Sequence, residues 1–124
     1  MDIKEKVTLV LGASPNPDRT SYEAVISLMY KGIPVVAIGR REGQIGDIKI
    51  QKDLPVLNGK IHTVTLYMSA ANQEEFYDYI LSLEPKRIIF NPGTRNPELA
   101  DMAAIQGIEV VEQCMLVMLS SGDF

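Results

Sequence analysis

The sequence predicts an α/β fold in which helices cover both faces of a doubly wound parallel sheet. Short apolar runs typical of buried strands alternate along the chain with segments that carry helix-start signals. The chain has 124 residues, so we expect a single domain over residues 1–124. Hydrophobic residues make up 46% and charged residues 23%, which is typical of a globular protein and argues against disorder.

Five main strands are expected from the apolar runs. They lie at residues 7–11, 34–38, 63–67, 87–90 and 108–111. The stretch 43–57 is irregular, with a short candidate third strand at 48–50. Because crossovers between parallel strands are right-handed, the natural doubly wound solution is a five-stranded sheet in the order 3-2-1-4-5.

Helix starts are marked by three local signals. Residues 20–23 and 72–75 each read as a capping box, and residues 96–98 place a proline at the first helical position. Gly32 and Gly107 are the expected C-terminal stops of the first and last of these helices.

Charge and cysteine content exclude several classes of protein. With a net charge of −4, the protein lacks the positive electrostatic field that binds nucleic acid, so the expected partner is a small molecule. One cysteine forms no internal disulfide, and a reducing cytoplasm is the expected location. No apolar run approaches the roughly 18 residues of a membrane span, and the start lacks a signal peptide. The apolar tail 115–119 packs either on the domain or on a second subunit of a homo-oligomer.

The loop after the first strand, residues 12–19, is the main candidate for ligand binding, because such sheets bind ligands outside the carboxyl ends of their strands. Gly12 allows a close approach of the backbone, and the amides of the following helix start favour an anion such as pyrophosphate. Ser14 and Asn16 add side-chain donors, and Arg19 adds positive charge. The alternative is an ordinary βα loop stiffened by proline.

The loop is not the dinucleotide fingerprint, because no glycine follows Gly12 until Gly32. The second strand is followed by Arg40 and Arg41, where an NAD site places a carboxylate. Two arginines suit a ribose-linked phosphate, either the 3′-phosphate of coenzyme A or the 2′-phosphate of NADP. The alternative is a solvated pair of charges after a strand.

Other residues on the ligand edge are candidates by position. They are Tyr67 and Met68 after one strand, Asn91, Pro92 and Gly93 after the next, and Cys114 after the last. Asn91 either bonds the ligand or caps the next helix, and Tyr67 and Met68 are either cleft wall or core. Cys114 is either a buried inert thiol or a thiol within reach of a ligand thiol.

No catalytic centre is recognisable. The single histidine, His62, precedes its strand and is therefore expected on the opposite edge from the ligand. With one histidine and one cysteine the chain offers no clustered spacing of metal ligands. Neither a proton relay nor a metal is expected at the ligand edge.

Residues 10–22 resemble the opening of small CoA-binding proteins, which are similar to the CoA-binding domain of the succinyl-CoA synthetase alpha subunit. The resemblance continues through residues 91–93, 96–98 and 107–111 up to Cys114. It implies a Rossmann-like fold, coenzyme A as the ligand, phosphate contacts from the Gly12–Ser14 turn, Asn16 and Arg19, and adenosine contacts after the second strand. There the chain departs from the family, with Gly39-Arg40 in place of an asparagine-proline pair.

The sequence therefore favours a module that binds coenzyme A or an acyl-CoA as a carrier, sensor or regulator without its own catalytic centre. One alternative is an NADP-dependent oxidoreductase of minimal size, against which the missing glycines and the missing proton relay count. Another is a non-catalytic subunit that completes an acyl-CoA synthetase with a partner chain. Since the phosphohistidine of succinyl-CoA synthetase belongs to a further domain, ligase activity by this chain alone is not expected.

Overall fold

A computed structural model describes residues 1–124 as one seven-stranded sheet with helices on both faces. The strands are β1 (Thr8–Leu11), β2 (Val35–Ile38), β3 (Gly43–Ile45), β4 (Ile48–Gln51), β5 (Thr63–Leu66), β6 (Arg87–Phe90) and β7 (Glu109–Val111). Their order across the sheet is β3-β4-β2-β1-β5-β6-β7. All neighbours are parallel except β3, which is antiparallel to β4 at one edge. The predicted α/β class is confirmed.

The predicted five-stranded sheet in the order 3-2-1-4-5 is wrong. The sheet has seven strands, and β1 lies between β2 and β5, with Leu11 aligned to Ile38 on one side and to Leu66 on the other. The candidate strand at 48–50 is confirmed as β4, and β3 is an addition that pairs with it as a hairpin within the stretch that the sequence presented as irregular. Gly46, at φ +56°, suits its two-residue turn. β3 consists of Gly43, Gln44 and Ile45, so no apolar run marks it.

Five helices and two 3-10 turns complete the chain. The helices are α1 (Thr20–Tyr30), α2 (Ala70–Gln73), α3 (Tyr77–Ser82), α4 (Pro97–Ile105) and α5 (Met115–Ser121), and the 3-10 turns are Ile3–Glu5 and Glu74–Phe76. The start of α4 is confirmed, because the Asn96 side chain accepts a hydrogen bond from the Leu99 amide at 3.2 Å. The stops at Gly32 and Gly107 are confirmed as well, both at positive φ just beyond a helix end.

Both predicted capping boxes are wrong. The N-cap of α1 is Arg19, and no side chain caps this helix. The second helix begins at Ala70, after Ser69, and gives way to a 3-10 turn at Glu74–Phe76 before α3. Gln73, the second residue of that predicted box, is fully buried and hydrogen-bonded to neighbouring loops, and it ends α2 instead of opening a helix.

Two apolar clusters, one on each face, hold the helices to the sheet. Alternate side chains of a strand point to opposite faces, so Val10 belongs to one cluster and Leu9 to the other. The first cluster shows where the apolar tail packs. Met115, Met118 and Leu119 of α5 are buried in it, so α5 packs on its own domain. No helix combines the length and the apolar character that crossing a membrane requires.

Candidate ligand site at the carboxyl edge of the sheet

Two clefts open at the carboxyl edge of the sheet, one on each side of the end of β1. The helix cleft has a volume of about 500 Å³ and is lined by Gly12, residues 18–21, residues 67–69, residues 91–94 and Cys114. The arginine cleft has a volume of about 610 Å³ and is lined by residues 11–14, residues 38–41, Lys52, Leu54, Met68, Glu75 and Phe76. Gly12 and Met68 belong to both, so the two clefts adjoin.

The turn at Gly12 separates the clefts and requires glycine. Its φ is +98°, and a Cβ atom there would stand 2.9 Å from the carbonyl carbon and oxygen of Tyr67. The amides of Gly12 and Ala13 both donate to the carbonyl oxygen of Ile38 at 2.9 Å. These two amides are thus engaged in the sheet, and the backbone donors open to a ligand must come from elsewhere.

The start of α1 supplies open donors. The amides of Thr20 and Ser21 have no acceptor within the chain, and both residues line the helix cleft. Arg19, at the N-cap, is exposed and makes no capping bond, so its guanidinium is free to turn towards the cleft. The positive end of the helix dipole and this side chain favour an anion. The carboxylate of Asp18 lines the same cleft and opposes them.

Ser14 and Asn16 shape the loop before α1. The Ser14 hydroxyl accepts a hydrogen bond from the Asn16 amide at 3.1 Å, and the Asn16 side-chain oxygen accepts one from the Asp18 amide at 3.0 Å. Ser14 lines the arginine cleft, whereas Asn16 lines neither cleft. The structure therefore gives Asn16 a role in turning the loop.

The arginine cleft gathers three cations, Arg40, Arg41 and Lys52. Arg40 Nη2 donates to Glu75 Oε1 at 3.3 Å, and the two side chains are 66% and 64% exposed, so this ion pair is weak. Apolar groups, among them Leu54 and Phe76, line the same cleft. A flat apolar ring beside a phosphate ester suits this combination of surfaces.

Sequence reasoning missed part of this lining. Lys52 and Leu54 lie in the stretch that looked irregular, and Glu75 and Phe76 lie in a segment that looked helical. No local sequence pattern identifies these residues as ligand-binding. The β3–β4 hairpin and the 3-10 turn bring them to the cleft only in the folded chain. In the helix cleft the start of α1 was expected to bind an anion, and Thr20 and Ser21 do line the cleft there.

Asn91 is bound within the protein. Its side-chain nitrogen donates to the Thr65 hydroxyl at 2.7 Å and to the Leu66 carbonyl at 2.9 Å, and its side-chain oxygen accepts from the Met115 amide at 2.9 Å. It ties β5 to the start of α5, whereas the next helix along the chain, α4, is capped by Asn96, so the alternative in which Asn91 caps that helix is wrong. Pro92 and Gly93, which follow it, are exposed at the rim of the helix cleft.

Gln73 holds two walls of the helix cleft together. Its side-chain nitrogen donates to the carbonyl oxygens of Met68 at 2.9 Å and Thr94 at 2.7 Å. Its oxygen accepts from the Asn96 side chain at 2.9 Å. A buried amide with every bond satisfied fixes the loops it joins. Gln73 was not identified from the sequence, where nothing distinguishes it from a surface glutamine.

Tyr67 and Cys114 stand together in the helix cleft. The Tyr67 hydroxyl is buried and has no hydrogen-bond partner. Burial raises the pKa of Tyr67 strongly, the neighbouring Thr65 side chain offsets part of this rise and Cys114 adds to it, so the phenol stays protonated. Cys114 is half-buried and lines the cleft.

His62 lies at the amino end of β5, away from both clefts. Thr63 Oγ1 accepts from Arg87 Nε at 2.8 Å and lies 2.7 Å from His62 Nδ1, with which it shares a hydrogen bond. Burial lowers the pKa of His62, and the charges of Arg87 and Lys6 lower it further. The lowered pKa favours the neutral form of the imidazole. No cluster of three or more His, Cys, Asp or Glu side chains forms a metal site.

Comparisons with known proteins agree with this architecture. A crystal structure of an uncharacterized protein is 46% identical, superposes with a TM-score of 0.93, and the match covers 96% of this chain and 98% of that one. A hypothetical protein from Pyrococcus horikoshii OT3 is 24% identical, with a TM-score of 0.82 and coverage of 95% and 83%. A Thermus thermophilus structure is 21% identical, with a TM-score of 0.84 and coverage of 97% and 91%. The last two show the fold alone.

No curated protein matches the sequence. A family model does: residues 6–120 match the model described as CoA binding domain. This match spans both clefts and every strand of the sheet. The chain therefore belongs to the CoA-binding domain family.

Proposed function

We propose that this protein binds coenzyme A or an acyl-CoA across the two clefts, as a carrier or regulatory module without a catalytic centre. The observation that carries the proposal is the continuity of the clefts through Gly12 and Met68. Coenzyme A is a long molecule with an adenosine end, a central pyrophosphate and a pantetheine arm. Two adjoining clefts of unlike chemistry suit it better than one compact pocket would.

The adenosine end is assigned to the arginine cleft. Leu54 and Phe76 offer apolar surface to the base, and Arg40, Arg41 and Lys52 offer charge to the 3′-phosphate. This cleft lies beside the end of β2, where related folds hold the adenosine ribose.

The pyrophosphate is assigned to the junction of the clefts, in front of α1. The unpaired amides of Thr20 and Ser21 and the guanidinium of Arg19 are its donors. The pantetheine arm then runs through the helix cleft along Tyr67 towards Cys114.

The absence of a catalytic role is inferred from the side chains that face the clefts. The histidine is on the opposite edge, and the pKa of Tyr67 is raised, so neither is poised to exchange a proton with a ligand near neutral pH. Cys114 is the only nucleophilic thiol of the chain.

Titration calorimetry with coenzyme A, NADP and NAD tests the ligand. Coenzyme A should bind most tightly, because the site carries arginines where an NAD site carries a carboxylate. Equal or tighter binding of NAD would refute the proposal. Tighter binding of NADP than of coenzyme A would instead favour the oxidoreductase alternative. Native mass spectrometry of protein taken from cells would give the mass of the bound ligand and the oligomeric state together.

Dephospho-CoA, which lacks only the 3′-phosphate, tests the assignment of the arginine cleft. It should bind more weakly than coenzyme A to the unaltered protein. In the double variant Arg40→Ala and Arg41→Ala this preference should disappear. Equal binding of both ligands by the unaltered protein would make the arginines a solvated surface pair.

A further inference from the structure

The arginine cleft contains a feature that opposes its proposed ligand. Three cations line it, but so does the carboxylate of Glu75. Glu75 Oε1 lies 3.3 Å from Arg40 Nη2, so one of the three cations already has an anionic partner within the chain. A phosphate that enters the cleft meets both an occupied arginine and a negative charge.

We propose that Glu75 is a built-in competitor for the 3′-phosphate, which occupies Arg40 in the free protein and must release it when coenzyme A binds. This inference rests on the proposed function, since it concerns the same cleft. Glu75 would then set how tightly the protein binds coenzyme A and how strongly it prefers ligands that carry the 3′-phosphate.

The exposure of the pair makes the exchange feasible. The side chains of Arg40 and Glu75 are 66% and 64% exposed, and exposed ion pairs contribute little to stability. Separating them therefore opposes ligand binding only weakly. A phosphate monoester carries more negative charge than a carboxylate and three acceptor oxygens, so it outcompetes Glu75 for the guanidinium.

The residual effect of Glu75 is repulsion. After Arg40 turns to the phosphate, the carboxylate still borders the cleft, on the 3-10 turn Glu74–Phe76. Two negative groups near one another in partly screened surroundings raise the free energy of the complex. A ligand without the 3′-phosphate escapes this repulsion and gains nothing from Arg40, so Glu75 should matter little to it.

The test is Glu75→Gln, which keeps the size of the side chain and removes its charge. Glu74→Gln is the matched control, because Glu74 is exposed, adjacent in sequence and outside both clefts. Calorimetry with coenzyme A should show about threefold to tenfold tighter binding by Glu75→Gln. Dephospho-CoA should bind to Glu75→Gln and to the unaltered protein with the same affinity. Adding Arg40→Gln to Glu75→Gln should abolish the gain.

The outcomes separate this inference from the proposed function. If coenzyme A binds but Glu75→Gln behaves as Glu74→Gln does, the competition by Glu75 is refuted and the proposed function stands. An equal gain for coenzyme A and dephospho-CoA would refute it too, because the effect would then be general electrostatics. Failure of coenzyme A to bind any of these proteins would overturn the proposed function and this inference with it.

Discussion

The backbone carbonyl oxygen of Ala13 occupies the space in which a Cβ atom on Gly39 would stand. The φ of Gly39 is not in the left-handed region, so the close approach of the chain, rather than a torsion angle, demands glycine here. The contact holds the end of β2 against the turn that divides the two clefts.

Gly39→Ala should therefore destabilise the protein by about 3 kcal/mol or more, because backbone atoms must shift to admit the methyl group. Gly59→Ala is the control, since Gly59 has φ +75° and no neighbour within 4 Å. Strain alone should cost about 1–2 kcal/mol there. Urea unfolding measures both, and a Gly39→Ala variant as stable as the unaltered protein would contradict the contact.

Asn91→Ala should lower the free energy of unfolding by about 2–4 kcal/mol. The substitution leaves the Leu66 carbonyl and the Met115 amide without partners in a buried setting. Asn16→Ala, in an exposed loop, is the comparison and should change stability far less. Similar losses of unfolding free energy in the two variants would show that the buried hydrogen bonds of Asn91 stabilise the fold no more than an exposed loop contact does.

Arg19→Ala should weaken the binding of coenzyme A about tenfold, since a charge-assisted contact to a phosphate contributes roughly 1.5 kcal/mol or more. The fold should survive, because the side chain of Arg19 caps nothing. Lys31→Ala, at the other end of α1, is the control for loss of a positive charge. An unchanged dissociation constant, measured by calorimetry, would remove Arg19 from the site.

The stability of the protein should fall when the pH is lowered through the range in which His62 takes up a proton. The folded-state pKa of His62 lies below its ordinary value of 6.5, so the unfolded chain binds the proton more readily. The free energy of unfolding should therefore decrease between about pH 7.5 and about pH 5.5. His62→Gln should lose less stability over that interval. An identical pH dependence of both proteins, measured by urea unfolding, would show that folding does not lower the pKa of His62.

Oxidised coenzyme A should modify Cys114. The thiolate attacks the disulfide, a mixed disulfide forms between Cys114 and one coenzyme A, and the second coenzyme A leaves as a thiol. The position of Cys114 in the helix cleft, beside Tyr67, brings the two sulfurs together if the pantetheine arm lies there. Intact mass should show one adduct that a reductant removes and that Cys114→Ser lacks. No adduct, together with slow labelling by a small thiol reagent, would show an inaccessible thiol.

Local signals predicted the elements that local interactions determine. Asn96 caps α4 as its sequence context indicates, and Gly12 ends β1 in the conformation that only glycine adopts readily. Where a tertiary contact overrides local preference, the prediction was wrong. Gln73 looks like part of a capping box but is used to join two loops, and the helix begins upstream of it.

The candidate site divides in the same way. Arg40 lies two residues beyond β2 and Arg19 immediately precedes α1, so both were identifiable from the sequence. Lys52 and Glu75 reach the arginine cleft from segments distant in the chain, and only the folded arrangement reveals them. The three hydrogen bonds of Asn91 join β5 to α5, which neither of the two alternatives had anticipated, because the contact lies between segments distant in the chain.

The sharing of Gly12 and Met68 by the two clefts has a consequence for how fragments of a ligand should behave. A nucleotide fragment and a pantetheine fragment would each fill one cleft and lose their rotational and translational freedom separately. Joined through a pyrophosphate, they lose that freedom once, and the second cleft sees the other half at a high effective concentration. The intact molecule should consequently bind far more tightly than either half, while the two halves can occupy the protein together without excluding each other.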